Sequence, residues 1–315
     1  MNSKHLTLSL ALLSSSLGLW AQQERALPIL SQGQEAASVA MGGNHYGESH
    51  HLYLYGNPTS ALYQKGHFEA GLYYHSQNLK DENQSTLTGL GGATTWRQGR
   101  HAWMLGTRYY GGLRQADISS NESQRRTRLL YDQTVDVAYA LRTGAFSFYA
   151  MGSYIATNQM RGVATYAASL GLSYRNSFRW QDKDLHYVLT AKGSNFGPSF
   201  SYLKKGSRVQ PPSAVGLGAE VSHAGSLHGV KANLSAEHFL TPSEAASTRL
   251  QVGAEYAYRQ MAMLRAGYFH DTNGLSALSL GLGARYKMLR TDVSLVLPNN
   301  QNISPQVALS LGVAF

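Results

Sequence analysis

The sequence predicts an all-β protein, a 14-stranded antiparallel transmembrane β-barrel with an N-terminal plug inside its lumen. Three observations support this fold class. Only 14% of the 315 residues are charged, against about 25% in soluble domains. Long stretches alternate apolar and polar residues with a period of two, which is typical of half-apolar strands. The connections between these stretches alternate between short and long, as in outer-membrane barrels.

The first 21 residues are typical of an export signal. Lys4 precedes a core of apolar and small residues from Leu6 to Leu19, and Ala21 follows. This order predicts a secretory signal peptide over 1–21, since a spanning helix needs about 20 apolar residues. Its removal leaves 26 basic and 18 acidic residues, a formal charge of +8. The chain has no Cys, so neither a disulfide framework nor thiolate chemistry is predicted.

The period-two alternation is clearest at the end of the chain. From Val307 to Phe315 every second residue is apolar, and the residues between are Gly, Ala or Ser. The same pattern predicts 14 strands, an even number, as single-chain bacterial barrels have. They span 66–77, 85–97, 101–113, 131–142, 146–157, 163–177, 184–203, 212–223, 227–239, 247–259, 261–271, 277–287, 290–298 and 303–315.

The less apolar face of these strands distinguishes a membrane barrel from a soluble sandwich. It consists mainly of Gly, Ala and Ser with single charges, which suits an enclosed lumen better than a solvated surface. In lipid every backbone polar group needs a partner, so the sheet must close. We therefore predict a barrel over 65–315 in the bacterial outer membrane. Tyrosines near the strand ends suit its interfacial girdles: Tyr73, Tyr74, Tyr109, Tyr110, Tyr256, Tyr258 and Tyr286.

Residues 22–64 precede the first strand, and a barrel of this size has a lumen wide enough to need filling. We predict that this segment is a plug, with tight turns at Gly42-Gly43 and at Asn57-Pro58. The segment also holds His50 and His51, which are adjacent and would point to opposite faces of extended chain. No metal site and no cofactor are predicted there.

Several short motifs resemble the FadL/PorV-type family of outer-membrane barrels. "ALPILSQGQEAASVAMGG…YGNPTSAL" is similar to the family's N-terminal pattern, through Met41, Gly42, Gly43, Asn57 and Pro58. "SNFGPSFSY", "VGAEYAYRQMAMLRAGYF" and "GLGARYKMLRTDVSLV" resemble later strands, so the resemblance covers nearly the whole mature chain. It implies a 14-stranded barrel with an N-terminal plug. The ending "WAQQ" of the leader resembles signal peptides of Bacteroidota.

The charges predicted to face the lumen alternate in sign on neighbouring strands, which favours cross-strand pairs that tie barrel to plug. The alternative is that these charges line a track for a polar or amphiphilic solute. The predicted lumen charges are Glu69, Arg108, Asp136, Glu220, Glu255, Arg265 and Arg285. A glycine cluster in the second and third strands is a candidate lateral gate, because FadL-like transporters release ligands sideways. Close packing of the plug on a thin wall is the alternative reading of Gly89, Gly91, Gly92, Gly106, Gly111 and Gly112.

Two predicted outside loops are basic and would face lipopolysaccharide phosphates or an acidic protein, unless they are simply solvated. Their candidate binding residues are Arg125, Arg126, Arg128, Lys204, Lys205 and Arg208. The expected partners are thus outer-membrane lipid and lipopolysaccharide, with secretion-system proteins or exported cargo. Nucleic acid is not expected outside the cytoplasm.

The sequence leaves three candidate functions. The resemblance implies first a non-enzymatic PorV-like scaffold or shuttle of type IX protein secretion. The alternative is a FadL-like channel for uptake or export of hydrophobic or amphiphilic small molecules. A lipid-modifying hydrolase is third: barrel histidines occur singly and no Gly-x-Ser-x-Gly elbow is present, so no catalytic residue is predicted.

Overall fold

A computed structural model describes residues 27–79, 85–116, 127–158, 163–181, 183–201 and 208–315. The predicted signal peptide over 1–21 lies outside these residues. The described chain contains one short α-helix, α1 (Ala36–Ala40), and 3-10 turns at Pro28–Leu30, Tyr53–Tyr55, Pro58–Tyr63 and Ser243–Ala245. Its strands are β1 (Phe68–Asn78), β2 (Thr86–Gln98), β3 (His101–Ala116), β4 (Thr127–Thr143), β5 (Phe146–Thr157), β6 (Val163–Trp180), β7 (Lys183–Phe196), β8 (Phe200–Ser201), β9 (Arg208–Val209), β10 (Ala214–Ala224), β11 (His228–Phe239), β12 (Ser247–Tyr258), β13 (Ala262–Asp271), β14 (Ser276–Tyr286), β15 (Leu289–Pro298) and β16 (Gln306–Ala314).

Fourteen of the described strands close into one antiparallel barrel, which confirms the predicted fold class. Each strand pairs with its neighbours in the chain, except that β7 pairs with β10 and β1 pairs with β16. The β1–β16 ladder runs in register from Glu69 opposite Ala314 to Gln77 opposite Gln306. The remaining two strands, β8 and β9, form a separate two-stranded sheet.

The period-two pattern places apolar side chains on the outside of the barrel. In β16, Leu309 is 45% exposed, whereas its neighbours Ala308 and Ser310 are buried. The same alternation of exposed and buried residues runs through the other barrel strands. A closed sheet with an apolar outer surface satisfies its own backbone hydrogen bonds, as a hydrocarbon environment requires. Within the described residues, no helix has the length and hydropathy that a membrane span needs.

The connections define two ends of the barrel. At the short-turn end, β2–β3, β4–β5 and β14–β15 are each joined by two residues. The opposite, long-loop end carries the connections of β1–β2, β3–β4, β5–β6, β7–β10, β11–β12, β13–β14 and β15–β16. Several predicted boundaries are wrong by three residues or more. β3 continues to Ala116, β4 begins at Thr127, β6 continues to Trp180, β7 ends at Phe196 rather than at 203, and β16 begins at Gln306.

The predicted tyrosine girdle needs tyrosines on the outer surface, and Tyr74, Tyr256, Tyr258 and Tyr286 are exposed there. It is wrong for Tyr73 and Tyr110, which are buried inside the barrel. Each of these two is followed or preceded by another tyrosine, and adjacent residues of a strand face opposite sides of the sheet.

Residues 27–64, here called the N-terminal segment, pack against inward-facing side chains of the barrel. Helix α1 contacts β13–β16, and the 3-10 turns over 53–63 contact β2–β5. Most of the segment is buried, with Leu27, Ala36, Ala40 and Leu52 all at 0% exposure. That the segment acts as a plug, closing the lumen to solutes, stays a prediction.

Candidate functional site

The N-terminal segment lies on glycines of the barrel wall. Gly253 of β12 and Gly267 of β13 are direct cross-strand partners, and Met41 and Gly42 lie against them. A Cβ on Gly267 would lie 2.1 Å from the Gly42 nitrogen, and one on Gly253 would lie 2.6 Å from the Met41 oxygen. Gly42 and Gly43 form the predicted tight turn, at φ values of +79° and +75°. The wall therefore lacks side chains where Met41 and Gly42 touch it.

Asn57 joins the segment to the opposite wall. Its carboxamide Nδ2 donates to Ser173 Oγ at 3.4 Å and to Thr190 Oγ1 at 3.3 Å. Its Oδ1 accepts from the Thr59 nitrogen at 3.2 Å and so caps the 3-10 turn that begins at Pro58. The predicted Asn-Pro turn thus connects β6 and β7 to the segment.

Inward charges on β12, β13 and β15 form a buried network. Arg265 is 1% exposed. Its Nε donates to Glu255 Oε2 at 2.6 Å, and its Nη1 donates to Asp292 Oδ1 at 2.7 Å. On β10 and β11, Lys231 Nζ lies 3.7 Å from Glu220 Oε1. These pairs are of the cross-strand kind that the alternating charges suggest.

Two carboxylates of the N-terminal segment make buried contacts. Glu35 holds two parts of the segment together, and Glu48 joins the segment to cations of the barrel wall. Glu35 Oε1 accepts from the backbone nitrogens of His50 at 2.8 Å and His51 at 3.1 Å. Burial lowers the pKa of both imidazoles, so they are neutral at pH 7. Glu48 pairs with Arg175 and with Lys231. Burial alone would raise the Glu48 pKa, but these two cations outweigh it and lower that pKa below its usual value.

Two further buried pairs lie on β1–β4. Arg108 donates to Asp136 twice, from Nε at 3.0 Å and from Nη2 at 2.7 Å. Arg97 Nη1 donates to Glu69 Oε2 at 3.2 Å, and the Tyr53 hydroxyl donates to the same oxygen at 2.7 Å. Because the Tyr53 proton is held by a carboxylate and the ring is buried, the Tyr53 pKa is raised well above its usual value.

Apolar side chains inside the barrel concentrate against β1–β6 in two clusters. The upper apolar cluster, nearer the long-loop end, contains Leu27, Ile29, Leu30, Leu79, Leu87, Tyr110, Ile155, Ala167 and Phe200. The lower apolar cluster contains Leu52, Tyr53, Leu54, Ala61, Leu62, Tyr73, Ala93, Ala102, Met104, Ala138, Ala140 and Tyr149. Both clusters combine the N-terminal segment with the wall.

An aromatic track joins the two clusters. The rings of Tyr110 and His75 are 5.8 Å apart, His75 and Tyr73 are 5.9 Å apart, and Tyr73 and Tyr55 are 6.0 Å apart. The track packs on glycines of β2, because a Cβ on Gly89 would lie 2.0 Å from the His75 ring and one on Gly91 would lie 2.9 Å from the Tyr73 ring. A continuous row of rings therefore leads from one cluster to the other.

A cavity of ≈ 140 Å³ lies between the N-terminal segment and the wall. Its apolar lining includes Leu30, Leu54, Tyr55, Met151 and Phe239. Lys192 and Glu237 also reach it. Glu237 Oε1 accepts from the Tyr46 hydroxyl at 3.1 Å and lies 3.4 Å from His45 Nε2. Among the described residues, Lys192 Nζ donates only to the His45 carbonyl, at 3.2 Å, and no carboxylate oxygen lies within 4.0 Å of it.

The β3 wall beside the aromatic track is irregular. The β3–β4 register shifts between Gly111 and Leu113. Gly112 between them has a φ of +124°, and a Cβ there would lie 1.9 Å from the Thr86 oxygen. Such bulges bend a strand and often occur beside functional sites. The lateral gate predicted for this hairpin stays a prediction.

The side chains of the predicted basic loop residues are not described by the structure. Arg125, Arg126, Lys204 and Lys205 lie outside the described residues. Arg128 and Arg208 fall within β4 and β9, and their side chains are likewise outside the description. Their binding role stays a prediction. Arg285 is exposed at the short-turn end, opposite Arg290. Across the described ranges, no group of three or more His, Cys, Asp or Glu is arranged to hold a metal ion.

The chain is similar in fold to several solved structures, two of which are toluene transporters. It superposes on the Pseudomonas putida toluene transporter TodX with a TM-score of 0.57 at 14% identity, covering 90% of this chain and 99% of that one. The Ralstonia pickettii toluene transporter TbuX superposes with a TM-score of 0.55 at 16% identity, covering 90% of this chain and 98% of TbuX. A FadL homologue from Pseudomonas aeruginosa superposes with a TM-score of 0.50 at 12% identity, covering 91% of this chain and 99% of the homologue.

No family model and no curated protein matches the sequence. The three solved proteins are transporters or a FadL homologue, not enzymes. At these identities the comparison concerns the fold. The comparison therefore supports the barrel fold, which this chain shares with the two toluene transporters and the FadL homologue.

Proposed function

We propose that the protein is an outer-membrane channel for small hydrophobic or amphiphilic molecules. The continuous row of apolar and aromatic side chains inside the barrel carries this proposal. Along β1–β6, the long-loop end is connected to the interior by the upper apolar cluster, the aromatic track and the lower apolar cluster. A pore for polar solutes would instead have a polar, water-filled interior. The exposed apolar belt of the strands supports a location in the outer membrane.

The size of the cavity supports small ligands. Its ≈ 140 Å³ is close to the roughly 150 Å³ of an apolar engineered cavity that binds benzene. The mixed lining suits a ring-sized molecule that is apolar or carries one polar group. Two of the similar barrels are described as toluene transporters, which favours ligands of the same size for this chain.

Uptake of labelled toluene by intact cells tests the proposal. We expect cells expressing the protein to take up toluene several-fold faster than cells with an empty vector. Met151→Trp should return uptake to the vector level, because the larger ring fills the cavity that Met151 lines. Leu170→Trp is the matched control, since Leu170 is exposed on the outer face of β6. Equal uptake with protein and vector would refute the channel.

Lys192 is expected to select for acidic ligands in this cavity. A buried ammonium without a carboxylate partner can donate to a ligand carboxylate, and a hydrogen bond to a charged group is worth about 1.5–3 kcal/mol. Lys192→Met should therefore weaken benzoate binding about tenfold or more and leave toluene binding unchanged or stronger. Titration of both ligands against the purified variants measures this. Equal losses for both ligands would show that Lys192 only supports the cavity.

The PorV-like role in type IX secretion stays a prediction from the sequence resemblance. Neither the interior of the barrel nor the comparisons support it over the channel. Affinity purification from membranes tests it, because a scaffold should retain secretion components or cargo. If the purified protein retains neither secretion components nor cargo, and cells expressing it still take up toluene, only the channel function remains.

A further inference from the structure

Two turns at the short-turn end repeat one arrangement of side chains. Each begins with a tyrosine, continues with a cation and ends with a methionine. They are Tyr258, Arg259 and Met261 between β12 and β13, and Tyr286, Lys287 and Met288 between β14 and β15. The Arg285 nitrogen donates to the Met261 oxygen at 2.7 Å, which joins the two turns.

Both cations lie on the outer side of the barrel. Tyr258 and Tyr286 face outward and are 42% and 63% exposed. The Arg259 guanidinium lies 5.5 Å from the Tyr258 ring centre, and the Lys287 ammonium lies 5.3 Å from that of Tyr286. Tyrosines of a barrel girdle sit at headgroup level, so these cations are at the height of lipid phosphates.

Both cations, like Gln181 and Gln260 at the same end of the barrel, have a positive φ. Arg259 and Lys287 have φ values of +51° and +53°, in the left-handed region that favours Gly or Asn. Two other turns at the same end, at Gly99 and Gly144, have glycine at φ +60° and +64°. A residue held in a costly conformation is a pointer to function.

Neither cation has a carboxylate partner in the part of the chain that the structure describes. Within the described chain, no carboxylate lies within 4.0 Å of Arg259 or Lys287, whereas the inward arginines Arg108, Arg249 and Arg265 all have one. The methionines Met261 and Met288 are 48% and 53% exposed beside them. The pair of turns thus presents two unpaired cations, two tyrosine rings and two apolar side chains to the membrane.

We propose that these two turns bind the phosphate of an anionic phospholipid in the leaflet at the short-turn end. The cations would contact the headgroup phosphate, as cationic side chains do at membrane surfaces. The methionines would contact the first methylenes of the acyl chains. The ligand is a lipid rather than a protein surface, because the site continues directly into the apolar belt of the barrel.

A double variant, Arg259→Asn with Lys287→Asn, tests the site. Asn tolerates the left-handed conformation, so the barrel should keep or gain thermal stability. Phosphatidylglycerol and phosphatidylcholine with identical acyl chains are titrated onto detergent-purified protein and followed by native mass spectrometry. We expect the wild type to prefer phosphatidylglycerol. The variant should lose about thirtyfold in affinity for it, roughly fivefold for each cation, with phosphatidylcholine unaffected.

Arg100→Asn is the matched control, since Arg100 is an exposed cation beside Gly99 in a separate turn. It should retain the wild-type preference. The proposal is overturned if the wild type binds both lipids equally, if the double variant keeps its affinity for phosphatidylglycerol, or if Arg100→Asn causes the same loss. None of these outcomes depends on whether the barrel conducts hydrophobic molecules.

Discussion

Replacing Gly267 with valine is expected to displace the N-terminal segment from the barrel interior. A Cβ at this position would lie 2.1 Å from the Gly42 nitrogen and 2.3 Å from the Met41 carbonyl carbon. These are backbone atoms, which cannot swing aside as a flexible side chain can. We expect single-channel recordings to change from low to high conductance, because displacement leaves part of the lumen open to ions.

Ala266→Val is the matched control for this change. Ala266 precedes Gly267 on β13 but faces the outside and is exposed, so an added methyl pair meets no protein backbone. Its conductance should equal that of the wild type. If Gly267→Val also keeps the wild-type conductance and the same resistance to protease, the segment does not close the lumen.

Replacing Arg265 with methionine is expected to give the largest loss of stability. The substitution leaves Glu255 and Asp292 without the cation that both contact, at 2.6 and 2.7 Å. Breaking a buried ion pair by removing one partner costs about 3–5 kcal/mol. The free energy of unfolding, measured by urea titration in a defined detergent, should fall by that amount.

A triple variant separates lost charge balance from lost packing. Adding Glu255→Gln and Asp292→Asn to Arg265→Met removes both carboxylates that lose Arg265 and keeps similar side-chain volumes. Part of the stability should return, because replacing buried ion-pair partners together is often nearly neutral, while Arg290 Nε loses its 3.2 Å contact with Asp292 Oδ2. A single variant within about 1 kcal/mol of the wild type would mean that these charges are screened by water.

The barrel itself is predictable because its environment acts on every strand in the same way. Alternation such as that of Val307, Leu309 and Leu311 arises because one face of each strand meets hydrocarbon and the other faces the barrel interior. The periodicity therefore identifies the strands and their number. The ends are less predictable. Polar and aromatic residues at 175–187 fit both a strand near the interface and a loop, so the extension of β6 to Trp180 was not predicted.

The interior is only partly predictable. The residues of the cross-strand ion pairs around Glu255 and Arg265 follow from alternation, since inward positions are known once the strands are. The aromatic track does not follow. Tyr73 could be assigned to either face because Tyr74 adjoins it, and His75 is unremarkable in sequence. The Glu35 contacts also escape prediction, since residues 27–64 have no repeating pattern that specifies their path.

The pairing of β1 with β16 has a consequence for biogenesis. Almost all neighbouring strands are successive hairpins that can zip up locally, but this one ladder joins residues more than 200 positions apart, as Glu69 is opposite Ala314. The entropy of closing so long a loop grows only slowly with its length. Until that last ladder forms, the nascent sheet has two unpaired edges that can bind other copies. Its assembly therefore requires both edges to be shielded until the ends meet.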